Sequence, residues 1–275
     1  MNYIELTLDA QDAEQAEILM AELADYPFES FEQEGARLKA YIPAERLAGC
    51  KGEVDTVLER YGITRAAYLS IEPQNWNAVW EKNFTPVEVD GRLTIRAPFH
   101  APAAAPLEVV IMPKMSFGTG HHATTCLMAA GILDHDVRGL HGLDMGSGTG
   151  VLAIIAALRG AASVDAIDID EWAYGNCIEN IRANGVEGKV LPVLGGIETI
   201  AGRHYDFIAA NINRNILISH LPAYGAALCT GGWLSMSGIL ECDLEMLGEA
   251  ARANGFSVTG TAVREGWARL DAVKM

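Results

Sequence analysis

The first part of the chain shows two patterns of hydrophobic and polar positions. Residues 3–8 alternate with a period of two, which predicts a β-strand with one buried face. Residues 12–24 place apolar side chains at helical spacing, and Pro27 prevents this helix from continuing. The same reasoning gives the order βαββαβ, which is typical of a small ferredoxin-like α+β domain. We predict this domain over residues 1–72, with strands at 3–8, 28–31, 37–42 and 66–72 and with helices at 12–24 and from Pro43 onward.

Residues 73–86 are predicted to be a linker between two domains, and they contain Trp76 and Trp80 four positions apart. Apolar residues at this spacing share one face of a helical turn, which indicates packing against a domain. The alternative is that one of the two indoles reaches a substrate site.

From residue 107 onward strands alternate with helices, after a hairpin predicted over 87–99 through Asp90-Gly91. Repeated βα units require a mostly parallel sheet with helices on both faces, so the fold class is α/β. Two final strands resemble an antiparallel edge pair, and residues 87–275 therefore form a domain with a mostly parallel, seven-stranded sheet. The predicted strands are 140–145, 164–169, 190–194, 207–211, 232–237, 258–263 and 268–273, and the main helices are 150–158, 171–183 and 214–228.

The first of these parallel strands runs into a glycine-rich loop. Gly146, Gly148 and Gly150 permit a tight turn and the close approach of a ligand to the backbone, with a helix N-terminus behind them. A dinucleotide site needs the spacing G-x-G-x-x-G for a pyrophosphate, whereas this loop reads G-x-G-x-G. Asp144, two residues before the first glycine, would repel a pyrophosphate and would suit the cationic amino group of a methionine moiety. An NAD-dependent dehydrogenase is therefore the disfavoured alternative.

The next predicted strand, 164–169, ends among acidic residues that could bind a cofactor. A carboxylate at the tip of this strand lies beside the glycine loop and can accept hydrogen bonds from both ribose hydroxyls. We assign that role to Asp168, because Asp170 can instead cap the helix that begins at Glu171. The two motifs follow in order on consecutive strands, and together they predict a nucleoside-cofactor site.

Composition narrows the partners and the compartment. A formal net charge of −16 opposes direct nucleic-acid binding, which needs a basic surface, and favours a cationic partner or a small molecule. The five cysteines are scattered without a C-x-x-C pair, and the first residues lack a signal-peptide pattern, so we expect a cytoplasmic protein with free thiols. We expect no membrane span, since the alanine-rich stretch 123–132 is too short for a bilayer.

The adjacent residues His121 and His122 could be a pair of metal ligands, but we expect no metal site here. Neighbouring side chains point in different directions on any regular element, and no carboxylate or cysteine stands nearby at ligand spacing. We expect His122 to fix its loop by hydrogen bonds instead.

The glycine loop 143–150 together with Asp168 resembles the class I methyltransferases, whose cofactor is S-adenosylmethionine. Segment 117–125, which reads F-G-T-G-H-H-A-T-T, and the strand end 210–212 are similar to the PrmA family, whose substrate is the eleventh protein of the large ribosomal subunit. The resemblance covers nearly the whole chain, because it extends to the order of the domains and to segments 75–80, 237–240 and 265–267.

The resemblance implies that Thr125, Gly146, Asp168 and Asn211 contact the cofactor. It also implies N-methylation of lysine side chains and of the α-amine of the ribosomal protein, which the N-terminal domain recognises. For Thr125 and its neighbour Thr124 the alternative is that they cap the following helix, and for Thr124 we prefer that alternative.

Methyl transfer from a sulfonium needs an in-line approach and a neutral amine rather than covalent help from the protein. We therefore predict that Asn211 is the catalytic residue, orienting the amine through its side-chain carbonyl, without a dedicated general base. The loop 211–213 lacks the prolines and the aromatic residue of the N-P-P-Y sequence found in many methyltransferases of glutamine and adenine, which argues against a planar acceptor. The remaining alternatives are a methyltransferase that acts on another protein or on RNA, and a noncatalytic module that retains the cofactor fold.

Overall fold

The structure is a computed structural model that describes residues 3–71, 84–114 and 116–275. The chain divides into two compact units, Met1–Asn83 and Phe84–Met275. Trp76 and Trp80, on which the two interpretations of the linker depend, lie outside the described residues. Each unit is described by itself below.

The first unit has the predicted ferredoxin-like order of elements. Its four strands form one antiparallel sheet in the order β2-β3-β1-β4. The elements are β1 (Tyr3–Asp9), α1 (Ala13–Leu23), β2 (Ser30–Glu34), β3 (Arg37–Pro43), α2 (Ala44–Arg60) and β4 (Ala66–Ile71).

Alternating side chains of β1 build the core of this unit, as the period of two predicts. Leu6 and Leu8 are buried against apolar residues of both helices, among them Leu19 of α1. The predicted strand 28–31 is wrong in its bounds, since β2 runs from Ser30 to Glu34. The hairpin turns at Gly35, so that pairing with β3 continues up to Glu34 opposite Arg37.

The second unit contains a large sheet and a small one. The large sheet has seven strands in the order β10-β9-β8-β11-β12-β14-β13, and β14 runs antiparallel to both of its neighbours while the other pairs are parallel. This confirms the predicted α/β class with a mostly parallel sheet and an antiparallel end. The strands are β5 (Val87–Val89), β6 (Leu93–Arg96), β7 (Leu107–Val110), β8 (His141–Met145), β9 (Ser163–Asp168), β10 (Val190–Leu194), β11 (Tyr205–Asn211), β12 (Leu228–Leu240), β13 (Phe256–Arg264) and β14 (Trp267–Lys274).

Helices cover both faces of the large sheet and bury two separate apolar clusters. The helices are α3 (Ala123–Asp134), α4 (Val151–Leu158), α5 (Glu171–Ala183), α6 (Arg214–Ala227) and α7 (Leu244–Ala253), and the short 3₁₀ turns are Ile197–Ile200 and Glu241–Asp243. Within the described ranges, no helix has the length and apolar character needed to cross a membrane.

The small sheet contains the predicted hairpin. Strands β5 and β6 are antiparallel and join through Asp90-Gly91, while β7, which the pattern did not predict, runs parallel to β6. Strand β12 is much longer than the predicted 232–237, and it carries an irregularity between Met236 and Ile239 where it pairs with β14. In the large sheet, the carboxyl ends of β8, β9 and β11 meet at one edge, which is where open α/β sheets bind ligands.

Candidate active site

The loop after β8 takes a conformation that only glycine adopts without strain. Gly146, Gly148 and Gly150 all have positive φ angles, of 75°, 55° and 79°. A side chain at Gly148 would strike the carbonyl oxygen of Phe117, and a Cβ at Gly150 would lie 2.6 Å from the sulfur of Cys177. The three glycines therefore let the loop pass close to its neighbours and present its backbone to the adjacent space.

Asp168 at the end of β9 lies beside this loop, as predicted. The Gly148 N–H donates to Asp168 Oδ2 over 2.8 Å, and the Asp170 N–H donates to Asp168 Oδ1 over 3.0 Å. Asp170 has the capping role expected from the sequence, because its Oδ1 accepts from the N–H groups of Trp172 and Ala173 at the start of α5. Asp168 is thus the carboxylate that remains directed to the glycine loop.

A cavity of about 340 Å³ opens at this edge of the sheet. Its volume falls within the range of small-molecule and cofactor sites. Of the residues predicted to contact a cofactor, Gly146, Gly148, Asp168 and Asn211 line it together. The other lining residues are Ser116, Phe117, Met145, Ile167, Ile169, Asp170, Trp172, Ala173, Ile212, Ile216 and His220.

Asp144 and Gly150 are placed behind the loop instead of in the cavity lining. The Asp144 side chain is buried, and its Oδ2 accepts from the N–H of Ala153 in the first turn of α4 over 3.1 Å. Burial raises the pKa of Asp144 to about 7, and the charge of Asp168 adds to this effect. A direct contact between Asp144 and the amino group of a methionine moiety remains a prediction.

Thr125 is fully buried near the start of α3, away from the cavity lining, and its hydroxyl oxygen has no hydrogen-bond partner among the described residues. The N-cap of α3 is His122, whose Nδ1 accepts from the Thr124 N–H over 3.3 Å, so the prediction that Thr124 caps the helix is wrong. A histidine nitrogen can accept this bond as a serine oxygen does, and the residue preferences for caps gave no indication of it.

His122 also has the predicted role of fixing its loop. Its Nδ1 lies 2.8 Å from the hydroxyl oxygen of Thr124, and its ring packs on Phe117 and on Trp267, with centroids 5.2 and 4.6 Å apart. The neighbouring His121 Nε2 lies 2.9 Å from the carbonyl oxygen of Thr85. Residues 3–71, 84–114 and 116–275 contain no cluster of three or more His, Cys, Asp or Glu side chains suited to a metal ion.

Sequence reasoning missed several residues of the cavity. Ile169 and Trp172 follow Asp168 in the chain and are 76% and 86% exposed, and Phe117, on the loop before α3, is half exposed at the cavity. Exposed apolar side chains that gather at one cavity are typical of a ligand-binding groove, whereas single ones need no explanation. The positions of Ile169 and Trp172 close to the capping residue Asp170 gave a weak indication that they lie at the site. Nothing in the sequence indicated that His220, in the middle of α6, lines the cavity.

The residues present fit S-adenosylmethionine. Asp168 offers carboxylate oxygens for a ribose diol, and Gly146 and Gly148 line the cavity without side chains. Among the residues that line the cavity, Asn211 has a buried polar atom, Oδ1, without a partner among the described residues. Buried polar atoms of this kind are normally satisfied, which points to a polar ligand at this edge of the sheet. The fold and this site define a class I methyltransferase that uses S-adenosylmethionine.

The chain belongs to the family described as ribosomal protein L11 methyltransferase (PrmA), whose model matches residues 5–275. It is 42% identical to the ribosomal protein L11 methyltransferase of Porphyromonas gingivalis, over 97% of this chain and 92% of that protein. The enzyme of the same name from Bacteroides thetaiotaomicron is 36% identical, over 98% of this chain and 99% of that protein. Among solved structures, the ribosomal protein L11 methylase of Lactobacillus delbrueckii subsp. bulgaricus is 27% identical with a TM-score of 0.64, covering 70% of this chain and 100% of that chain.

Proposed function

We propose that this chain transfers methyl groups from S-adenosylmethionine to lysine side chains and to the α-amine of ribosomal protein L11. The names of its relatives support the protein substrate. The observation that carries the chemistry is Asn211, whose buried Oδ1 has no partner among the described residues and which lines the same cavity as Gly146 and Asp168. An amide oxygen in that position can accept a hydrogen bond from an attacking amine.

The acceptor has to be a neutral amine. Deprotonation at neutral pH costs about 5 kcal/mol for a lysine and about 1 kcal/mol for an α-amine, at roughly 1.4 kcal/mol per pKa unit. When bound, the cofactor supplies an activated methyl group on a cationic sulfur, and burial next to a positive charge lowers the pKa of the amine further. The contribution of the protein is then chiefly to hold the amine in line, which is the role we give to Asn211.

Residues 1–72 are proposed to recognise the protein substrate, and residues 87–275 to carry out the transfer. The linker 73–86 is proposed to let several acceptor amines reach one active site. Solution scattering with and without the substrate tests this last point, and identical interdomain geometry in both samples would count against it.

The net charge of −16 favours a basic protein over nucleic acid as the binding partner. The free cysteines fit the reducing cytoplasm, where ribosomal proteins are made, so we propose that the enzyme acts there. Transfer of label to ribosomal RNA would instead support the alternative of an RNA methyltransferase.

The direct test incubates the protein with methyl-labelled S-adenosylmethionine and total ribosomal proteins from an unmethylated source, and locates the label by mass spectrometry. We expect label on lysines or on the α-amine of ribosomal protein L11. Cofactor binding without label on any ribosomal protein would contradict the proposed substrate and leave the methyltransferase fold in place.

Two neighbouring asparagines provide a matched pair for the role of Asn211. Asn211→Ala is expected to lower kcat about a hundredfold, because a misplaced amine loses the in-line approach. Asn213 caps α6 through its Oδ1, which accepts from the Asn215 N–H over 3.0 Å, and it does not line the cavity. Asn213→Ala should therefore weaken the fold slightly and keep kcat. Full turnover by Asn211→Ala would show that the assigned role is wrong.

A further inference from the structure

Ile212, the residue after Asn211, is held between two glycines, Gly146 in the loop after β8 and Gly238 in β12. On one side a Cβ at Gly146 would collide with Ile212 Cγ2. On the other side a Cβ at Gly238 would collide with the carbonyl oxygen of Ile212 and would lie 2.8 and 3.0 Å from its carbonyl carbon and amide nitrogen. The flexible end of a side chain can move away from a new Cβ, but a backbone cannot. Gly238 is therefore the stricter of the two contacts.

Gly238 occupies a β-bulge in β12. Met236 pairs with Leu270 and Ile239 pairs with Ala268, so that two residues of β12, Ser237 and Gly238, stand opposite a single residue of β14. Gly238 has φ of +87°, which the bulge requires and which favours glycine. Bulges next to active sites re-aim side chains, and this one lies directly beside the end of β11.

Two hydrogen bonds join the bulge to its surroundings. The Ile212 N–H donates to the Ser237 carbonyl oxygen over 3.2 Å, and the Ser237 hydroxyl donates to the Ala268 carbonyl oxygen over 2.7 Å. Ser237 also pairs with Asn211 in the parallel register of β11 and β12. The backbone of both Asn211 and Ile212 is thus in contact with the bulge, through strand pairing and through a hydrogen bond.

We infer that Gly238 is a positioning residue for methyl transfer, because the space left by its missing side chain seats the Ile212 backbone and thereby sets the position of the Asn211 amide. This rests on the role of Asn211 in the proposed function. Gly238 acts through Asn211, and its removal therefore has no further effect once the Asn211 amide is gone.

The experiment is a double-mutant cycle on kcat with the full-length protein, S-adenosylmethionine and ribosomal protein L11. Gly238→Ala is expected to lower kcat by about tenfold to a hundredfold, as displacements near 1 Å do, with little change in KM for the protein substrate. Gly238→Ala combined with Asn211→Ala is expected to have the same kcat as Asn211→Ala alone.

Gly231 provides the matched control. It lies on the same strand β12, has φ of +79°, and a Cβ there would meet nothing within 4 Å. Gly231→Ala therefore introduces the same backbone strain without contact with the site. We expect it to keep wild-type kcat and to lower the melting temperature less than Gly238→Ala does, because no collision adds to the backbone strain.

Losses that multiply in the double variant would overturn the inference, as would equal kcat for Gly238→Ala and Gly231→Ala. If Gly238→Ala does not fold, Ser237→Ala takes its place in the cycle, since it removes only the hydroxyl that holds the bulge, and the same absence of additivity is expected. Failure of the proposed function is distinguishable, because wild-type protein would then leave L11 unlabelled or Asn211→Ala would retain full kcat.

Discussion

The two units of this chain differ in whether they bury polar side chains that lack hydrogen-bond partners. In the described part of the first unit, residues 3–71, the buried core is made of apolar side chains, and no buried polar atom there lacks a partner. In the second unit, Asp144, Thr125 and their neighbours are buried polar residues, and several of their atoms have no partner among the described residues.

This difference follows from where each unit performs its task. A buried polar atom without a partner costs about 1–3 kcal/mol, so each such atom calls for an explanation. In the second unit one of them, Asn211 Oδ1, belongs to the cavity that we propose as the cofactor site, whereas Arg96 and Trp233, which also have such atoms, do not line it. The first unit has a core that does no more than hold its sheet and helices together, so any role in recognition has to come from its surface.

The largest expected effect is the pH dependence of stability that results from the burial of Asp144 in the second unit. Its folded pKa of about 7 lies above the ordinary value of 3.8, because burial disfavours the charged form. The folded state therefore holds a proton that the unfolded chain releases, and stability falls as the pH rises from about 4 to about 7 and is level above it. The full difference is on the order of 4 kcal/mol.

Asp144→Asn removes this titration. We expect the variant to gain stability relative to wild type as the pH rises through this range, which denaturant unfolding at pH 4.5 and pH 8 would measure. A constant difference between variant and wild type at both pH values would contradict the raised pKa of Asp144.

Replacing a buried leucine by alanine in each core tests whether the first unit influences cofactor binding by the second. Leu6 is fully buried in the first unit, and Leu143 is fully buried in β8, three residues before Gly146. Either change to alanine should cost about 3 kcal/mol of stability in its own unit. Only Leu143→Ala should weaken cofactor binding, measured by calorimetric titration. A comparable loss of cofactor affinity in Leu6→Ala would show that the two units are coupled.

The two aspartates after β9 test which carboxylate binds the ribose. Asp168→Ala is expected to weaken cofactor binding about a hundredfold, since two hydrogen bonds to a carboxylate are lost. Asp170→Ala removes the cap of α5, so we expect about 1 kcal/mol less stability and a cofactor affinity within a few fold of wild type. If Asp170→Ala lost more cofactor affinity than Asp168→Ala, Asp170 would be the residue that contacts the ribose.

The class of the fold and the main features of the site follow from local sequence signals. The glycine loop, Asp168 and Asn211 each stand where a predicted parallel strand ends, and the topology of such a sheet brings these ends together. For that reason four residues from three strand ends could be predicted to share one cavity, and they do.

The sequence could not show features that depend on packing between distant segments. Gly231 and Gly238 look alike in the sequence, yet only the second contacts the Ile212 backbone. The hydrogen bond from the Ala153 N–H to Asp144 Oδ2, which ties this residue to the helix behind the loop, was not predicted either. The contribution of Phe117 and His220 to the cavity likewise depends on elements that meet only in the folded unit.

The smallest expected effect is a helix cap in the first unit. Asp12 Oδ1 accepts from the Gln15 N–H over 2.8 Å at the start of α1, and Asp12→Ala should cost about 1 kcal/mol of stability. Glu17→Ala, on the exposed face of the same helix, is the control and should change stability by less than about 0.5 kcal/mol. Thermal unfolding measures both, and cofactor titration should return the wild-type affinity for each. A weaker cofactor affinity in Asp12→Ala would mean that the surface of the first unit contributes to the site, contrary to the division of roles between the two units.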